Sequence, residues 1–208
     1  MKQIHDGNEE SERKKKSKLR EWIDIIVSAL VLALIARAFV IQSYHVPSGS
    51  MMNTLYRGDF LFANKFIYGA KVPFVDLRLP KIRDPKPGDV VIFKYPLDRK
   101  TDYVKRCIAV AGQTVELRGT RLIVDGVERP EPYAVYRGGE SMFRDFGPYV
   151  VPKGHILAFG DNRNDSSDSR VWGPVDLALV RGKALFLYFS IDYEGFRIRF
   201  SRFGRPIR

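Results

Sequence analysis

The chain of 208 residues has one cysteine, Cys107, and three histidines. A single thiol excludes an intrachain disulfide framework and a zinc site built from several cysteines. Free cysteine is among the most buried residue types, so Cys107 is interpreted as a small core residue. Because His5 falls in a polar segment at the start of the chain, only His45 and His155 remain as bases for a Ser-His hydrolase.

Several motifs of hydrolases and metal sites are also missing. The sequence contains no G-x-S-x-G and no H-E-x-x-H. The acidic loop "GDNRNDSSDSR" at 160–170 fails the EF-hand pattern, because Ser166 stands where glycine is required and Trp172 where a bidentate glutamate is required. We therefore interpret this loop as a hydrogen-bonded turn and expect neither a metal nor a cofactor.

Charge is plentiful and unevenly distributed. The net charge of +11 comes from 35 basic and 24 acidic residues, with six cations in "RKKKSKLR" at 13–20 and five arginines in "FRIRFSRFGRPIR" at 196–208. A total of this size suits nucleic acid, anionic lipid or an acidic partner. The position of the first cluster, directly before an apolar run, favours membrane topology as its explanation.

The longest apolar run is "WIDIIVSALVLALIARAFVI", from Trp22 to Ile41. As a helix its twenty residues would span about 30 Å, the thickness of a bilayer core. Asp24 and Arg37 interrupt it, and Ala36-Arg37-Ala38 also fits the cleavage site of a secretory signal peptide. We favour an uncleaved transmembrane anchor at 21–42, which follows a disordered cytoplasmic tail at 1–20 and precedes a translocated domain at 43–208.

Beyond the anchor the sequence predicts a mainly β, antiparallel domain. "DVVIFKY", "DYVKRCIAVAG", "TVELRG", "RLIVDGVE", "HILAFG" and "VRGKALFLYFSI" are short, rich in Val, Ile, Phe and Tyr, and separated by turn residues. Asp125-Gly126 predicts a type I′ hairpin. Residues 118–151 predict an irregular excursion or a small cap. Phe196, Ile198 and Phe200 alternate with arginines, which predicts a final edge strand with a basic face.

Lys105 is the most unusual ionisable residue, since it lies in the middle of the apolar strand "DYVKRCIAV". Strand alternation places Lys105 and Arg106 on opposite faces. A general base at neutral pH would need its pKa lowered by roughly two to three units, which burial among apolar residues can supply. The alternative is a solvated lysine on an edge strand.

The stretch "HVPSGSMMNTL", His45 to Leu55, places Ser48 and Ser50 two residues apart directly after the anchor. Its proline, serines and glycine are typical of a turn that ends a hydrophobic segment. The same stretch would also suit a nucleophile held at a membrane surface, and the local pattern leaves both interpretations open.

Taken in order, "PSGSMMNTL", "PGDVVIFKYP", "DYVKRCIAVAG" and "GDNRNDSSDSR" resemble the bacterial type I signal peptidases. The resemblance implies a largely β fold, a Ser-Lys protease and translocated preproteins as substrates. It implies that Ser50 is the nucleophile, Lys105 the general base, and Ser48 with the Ser50 backbone N–H the oxyanion hole. The implied supporting residues are Ser166, which orients the Lys105 amine, the ion pair of Asp168 and Arg170, and Asp161, Asn162 and Arg163 in the same loop.

The chain departs from the family pattern at Asn53, where proline is usual, and at "AVAGQ", which replaces G-x-P-G-D. Cleavage is expected after a small-x-small motif. Shallow apolar pockets would select its small side chains by excluding larger ones. The residues expected to line them are Tyr44, Val46, Pro47, Met51, Leu55, Tyr103 and Val104.

The resemblance implies signal-peptide-bearing preproteins and membrane lipid as partners. It also implies a location in the bacterial cytoplasmic membrane, with the catalytic domain outside the cytoplasm. No nucleic acid partner is expected.

Two alternative functions remain. One is a membrane-anchored β-rich binding protein whose arginine-rich end contacts nucleic acid or anionic lipid. The other is a Ser-Lys peptidase that cleaves itself or one regulatory partner.

Overall fold

A computed structural model of the chain describes residues 18–34, 40–69, 77–137 and 145–208. The chain divides into two compact units, Met1–Ala38 and Phe39–Arg208, which are described separately. In the first unit residues 18–34 form a helix, α1, with exposed apolar side chains. None of the helices within the described ranges is long and apolar enough to cross a membrane. The predicted tail up to residue 17, together with Ala36-Arg37-Ala38, lies outside the described residues.

The second unit consists mainly of strands and the loops that join them, and its described residues include one short α-helix. The strands are β1 (Ile41–His45), β2 (Asp59–Asn64), β3 (Val90–Lys94), β4 (Asp102–Val110), β5 (Thr114–Arg118), β6 (Arg121–Val124), β7 (Val127–Arg129), β8 (Phe146–Val150), β9 (His155–Phe159), β10 (Val175–Asp176), β11 (Val180–Asp192) and β12 (Arg197–Ile198). The helix α2 spans Ser169–Trp172, and short 3-10 turns cover Phe66–Tyr68, Arg163–Asp165, Leu177–Leu179 and Phe200–Arg202.

Eight strands form the large sheet, in the order β1-β2-β11-β3-β4-β9-β10, with β12 paired to β11. Its strand pairs are antiparallel, which confirms the predicted mainly β, antiparallel class. In β2 buried and half-buried residues alternate, as expected when one face packs on the core. The first four residues of β3 are all buried, which explains the uninterrupted apolar sequence "VVIF".

A smaller sheet has the strand order β7-β6-β5-β8. Asp125 and Gly126 connect β6 to β7 with φ angles of 54° and 76°, and the predicted hairpin is therefore confirmed. The predicted irregular excursion at 118–151 is more regular than expected, since β6, β7 and β8 fall within it; residues 138–144 lie outside the described part. Val115, Leu117, Leu122 and Val124 carry apolar side chains into one core cluster, which stabilises this sheet.

β1 and β2 were not predicted from the sequence, and one predicted boundary was misplaced. Ile41 and Gln42, assigned to the end of the anchor, belong to β1 and pair with Asn64 and Ala63 of β2. The predicted final strand is also shorter than expected, because Phe196 has a φ of 47° and β12 contains only Arg197 and Ile198.

Candidate active site

Ser50 lies in the turn that follows β1, and apolar side chains hold this turn against the sheet. Met51 and Leu55 are fully buried and pack in one core cluster with Val46 and Leu61. Within the turn, the Met52 N–H donates to the Gly49 carbonyl at 2.9 Å and the Leu55 N–H to the Met51 carbonyl at 2.7 Å. The Ser50 side chain consequently has a defined position and is only 9% exposed.

Lys105 reaches Ser50 from the middle of β4. Its Nζ donates to Ser50 Oγ at 2.7 Å and to the Val104 carbonyl at 3.1 Å, and it lies 5.3 Å from the centre of the Tyr103 ring. Ser48 Oγ lies 3.3 Å from Ser50 Oγ. The two serines and the lysine, predicted from separate blocks of sequence, thus lie together.

Burial lowers the pKa of Lys105 from 10.5 to about 8, because an ammonium group loses its hydration in this apolar setting. The carboxylates of Asp168 and Asp161 oppose this shift and raise the pKa. With a pKa near 8, roughly one molecule in ten has a neutral amine at neutral pH, against a few in ten thousand for an ordinary lysine. Lys105 is therefore a buried lysine on a strand between β3 and β9, and not a solvated lysine on an edge strand.

The loop after β9 holds the Ser50 turn through Asn162. The Asn162 backbone N–H donates to the Ser50 carbonyl at 3.0 Å, and its Nδ2 donates to the Gly49 carbonyl at 3.2 Å. Gly160 allows the close approach, because a Cβ at this position would lie 2.2 Å from Ser166 Oγ and 2.5 Å from the Ser50 carbonyl oxygen. A larger residue at 160 would therefore displace the turn.

Buried ion pairs stabilise the same loop. The predicted pair is formed, with Arg170 donating to both Asp168 oxygens at 2.7 and 2.8 Å. Arg106, on the face of β4 opposite Lys105, donates to both oxygens of Asp161 at 2.6 and 2.8 Å.

Arg163 completes this set of ion pairs and donates to both Glu131 oxygens at 2.5 and 2.7 Å. The sequence analysis predicted neither of these last two pairs. Alternation along β4 identified the face of Arg106, but nothing local identified its partner 55 residues away.

Ser166 lies close to the predicted site without making the predicted contact. Its hydroxyl is buried and has no hydrogen-bond partner among the described residues. The Lys105 amine donates instead to Ser50 and to the Val104 carbonyl. The structure shows no hydrogen bond between Ser166 and Lys105, and the role of Ser166 in orienting the amine stays a prediction.

A cleft of about 390 Å³ opens beside Ser50 and Lys105 and runs between β1 and β4. Five of the predicted substrate-binding residues line it: Tyr44, Val46, Pro47, Tyr103 and Val104. The other two, Met51 and Leu55, were wrongly assigned, because they point into the core beneath the turn. The lining also includes His45, Ile92 and Asp165, which were not predicted from the sequence.

The two histidines considered as bases bond elsewhere. His45 lines the cleft, but its Nε2 lies 3.1 Å from the Tyr193 hydroxyl. His155 opens β9, and its Nδ1 lies 3.0 Å from the Lys153 carbonyl oxygen. Among the described residues, the basic side chain that contacts Ser50 Oγ is Lys105 and not either histidine.

Comparisons with known proteins identify the family of this chain. A family model described as "Signal peptidase, peptidase S26" matches residues 19–189. The chain is 34% identical over 168 residues to a signal peptidase I of Pseudomonas fluorescens, covering 69% of this chain and 59% of that protein's length. It is 35% identical over 191 residues to a signal peptidase I of Bacillus licheniformis, covering 88% of this chain and 96% of that protein.

Among solved structures, a signal peptidase I from Enterococcus faecalis is similar at 32% identity and a TM-score of 0.43, over 49% of this chain and 97% of that one. The extent of the family match, with relatives above 30% identity over most of the chain, establishes the family. The chain belongs to the signal peptidase family, peptidase S26, a family of serine endopeptidases.

Proposed function

We propose that this protein is a membrane-bound endopeptidase that removes amino-terminal signal peptides from translocated preproteins, with Ser50 as nucleophile and Lys105 as general base. The observation that carries the proposal is the 2.7 Å hydrogen bond from Lys105 Nζ to Ser50 Oγ at a buried position. A lysine so placed loses its proton more readily than one in water, and the hydroxyl it contacts is the nearest proton donor.

In the proposed reaction the neutral Lys105 amine takes the Ser50 proton while Oγ attacks the scissile carbonyl. The resulting ammonium group returns this proton to the leaving amine as the peptide bond breaks and the acyl-enzyme forms. Lys105 then accepts a proton from water as the water oxygen attacks the ester. The lysine returns this proton to Ser50 Oγ as the ester bond breaks, and the signal peptide leaves with a free carboxylate. The Ser48 hydroxyl, 3.3 Å from Ser50 Oγ, is positioned to donate to the oxyanion together with the Ser50 backbone N–H.

The cleft supports selection of small side chains at the positions before the cleaved bond. Val46 is 1% exposed and, with Val104, lines the cleft beside Ser50, leaving shallow apolar space. Pockets of this kind reject bulk by steric exclusion. A peptide extended between β1 and β4 would add main-chain hydrogen bonds, so that affinity would not depend on large side chains.

The membrane part of the proposal rests on the sequence before β1. Six cations precede the apolar segment, which predicts a cytoplasmic amino terminus and an external catalytic domain. Amino-terminal sequencing of the membrane-bound protein tests the anchor. A mature chain that begins at Phe39 would show that the segment is a cleaved signal peptide.

Cleavage of several unrelated preproteins by the detergent-solubilised full chain tests the catalytic assignment. Ser50→Ala and Lys105→Ala are each expected to abolish cleavage while the domain stays folded by circular dichroism. Lys105→Arg is expected to be inactive as well, because guanidinium retains its proton at any useful pH. Lys153→Ala, at an exposed lysine outside the cleft, is the matched control and is expected to cleave normally.

Sequencing the new amino termini checks that cleavage follows a small-x-small motif. Turnover retained by folded Ser50→Ala or Lys105→Ala would refute the Ser-Lys assignment. Cleavage of one preprotein alone would favour the peptidase with a single regulatory substrate, and an unchanged cellular function of Ser50→Ala would favour the binding protein.

A further inference from the structure

Asn53, in the Ser50 turn, has a backbone conformation that most residues avoid. Its φ is 91°, in the left-handed region that favours glycine. Strain of this kind persists only where the surrounding structure holds it in place, and it is concentrated at functional sites. At this position proline is usual in the family, but the φ of proline is fixed at about −65° and could not reach 91°.

The Asn53 side chain ties the Ser50 turn to a segment that leaves the small sheet. Its Nδ2 donates to the Tyr133 carbonyl at 3.1 Å. Tyr133 belongs to residues 131–135, which follow β7 and which we call the linking segment. The contact therefore joins the turn to a stretch of chain that lies 80 residues further along the sequence.

Buried ionic contacts hold the linking segment in place. Glu131 accepts from the Arg163 guanidinium at 2.5 and 2.7 Å and from the Tyr133 hydroxyl at 3.0 Å. The guanidinium carbon of Arg106 lies 3.8 Å from the centre of the Tyr133 ring. Charge-assisted hydrogen bonds through two oxygens fix geometry more strongly than neutral ones. The carbonyl that accepts from Asn53 is therefore on a well-supported part of the chain.

The linking segment also pairs with the loop that holds Ser50. The Val135 N–H donates to the Asp161 carbonyl at 2.8 Å, and the Arg163 N–H donates to the Val135 carbonyl at 2.8 Å. These two bonds form a parallel bridge between Val135 and Asn162. The Asn162 N–H in turn donates to the Ser50 carbonyl at 3.0 Å.

Together these contacts close a ring of hydrogen bonds around Ser50. The ring runs from Ser50 along the turn to Asn53, through the linking segment to Val135, and back through Asn162. The Asn162 contact fixes the turn at Ser50 itself, and the Asn53 contact fixes it three residues later. A turn fixed at both points has less freedom to move Ser50 Oγ away from Lys105 Nζ, which lies 2.7 Å from it.

We propose that Asn53 is a positioning residue for Ser50, which it holds through the tether to the linking segment. This inference rests on the proposed function, in which Ser50 is the nucleophile. Asparagine meets both needs of the position, because it accepts a positive φ more readily than most residues and its amide supplies the donor. Since Asn53 lies outside the lining of the substrate cleft, the tether should affect kcat and not KM.

Cleavage of a signal-sequence peptide by the full chain in detergent tests the proposal, with kcat and KM measured separately on protein shown to be folded by circular dichroism. Asn53→Gly accepts the positive φ without strain and removes the tether, so we expect it to lose about tenfold in kcat while KM changes by less than about twofold. Asn53→Asp keeps the shape, removes the donor and should show the same loss. Asn53→Pro forbids the φ and should lose more than about a hundredfold. The control Arg99→Gly places glycine at an exposed turn residue with a φ of 55°, outside the Ser50 turn, and should keep the wild-type kcat.

Amide hydrogen exchange gives a second readout that does not depend on activity. In Asn53→Asp the amides of Met52 and Leu55, which are bonded within the turn, should exchange about tenfold faster than in wild type, while those of β3 should be unchanged. A wild-type kcat in Asn53→Gly or Asn53→Pro, a loss confined to KM, or unchanged exchange in the turn overturns the proposal. If wild type cleaves no peptide, the proposed function fails, and the exchange rates still decide whether Asn53 holds the turn.

Discussion

Replacing Lys105 with methionine separates the cost of burying this lysine from its value in catalysis. Methionine has a similar unbranched shape and no charge, so it can occupy the same space beside Tyr103 and Val104. We expect the variant to be inactive and, near neutral pH, more stable than wild type. The gain follows from the lowered pKa of Lys105, from 10.5 to about 8.

The size of the gain follows from linkage between protonation and folding. Between about pH 8 and about pH 10.5 the unfolded chain binds the Lys105 proton and the folded chain does not, so the stability of wild type rises with pH across this window. Below it the folded state carries the whole cost of a buried ammonium group, about 3 kcal/mol. Losing the hydrogen bond to Ser50 offsets about 1 kcal/mol of the gain, which leaves about 2 kcal/mol in favour of methionine.

Urea unfolding of both proteins, followed by tryptophan fluorescence at a series of pH values, measures this difference. The other titrating groups are shared, so they cancel in the comparison. The advantage of Lys105→Met should be largest near and below neutral pH and should disappear above the ordinary lysine pKa. Lys153→Met, at an exposed lysine, should change stability by less than about 0.5 kcal/mol. A methionine variant less stable than wild type near neutral pH, or a difference independent of pH, would refute the buried-base argument.

Two further predictions concern the same site. The kcat/KM of wild type for a signal-sequence peptide should rise about tenfold per pH unit below a pKa of about 8 and level off above it. The reason is that only the neutral amine of Lys105 can accept the Ser50 proton. A pH profile that is flat through this region would contradict the assignment. Gly160→Ala should greatly reduce cleavage, because the added Cβ would lie 2.5 Å from the Ser50 carbonyl oxygen. The control Gly195→Ala, whose Cβ would meet no atom nearer than 3.7 Å, should cleave normally. Equal activity of the two variants would show that the Ser50 turn tolerates displacement.

Local patterns predicted the parts of the fold that depend on neighbours in sequence. The hairpin at Asp125-Gly126 and the strand around Lys105 follow from turn chemistry and from alternation, which act over a few residues. β1 and β2 were missed because "IQSYH" directly follows the apolar run and "DFLFAN" is short and partly polar. Their identity as strands depends on pairing with each other and with β11, which no local pattern records.

The site shows the same division between local and long-range information. Ser50 and Lys105 are 55 residues apart in sequence. The family resemblance predicted that they act together, and the structure shows their contact. Apolar character alone did not distinguish Val46, which lines the cleft, from Met51 and Leu55, which fill the core beneath it. The partners of Arg106 and Arg163 could not be predicted from the sequence. A buried charge requires a partner, but its own position in sequence does not indicate which residue that partner is.

Those buried ion pairs explain how Lys105 keeps a low pKa among acidic residues. Asp161 and Asp168 both act to hold a proton on the lysine. Each carboxylate is also bound through two oxygens by a buried guanidinium, from Arg106 and Arg170 respectively. Because the guanidinium charge is opposite and close, the field of each pair at Lys105 is weaker than that of a lone carboxylate. Loss of hydration then outweighs attraction, and the loop that holds the Ser50 turn can contain two buried carboxylates while the pKa of Lys105 stays low.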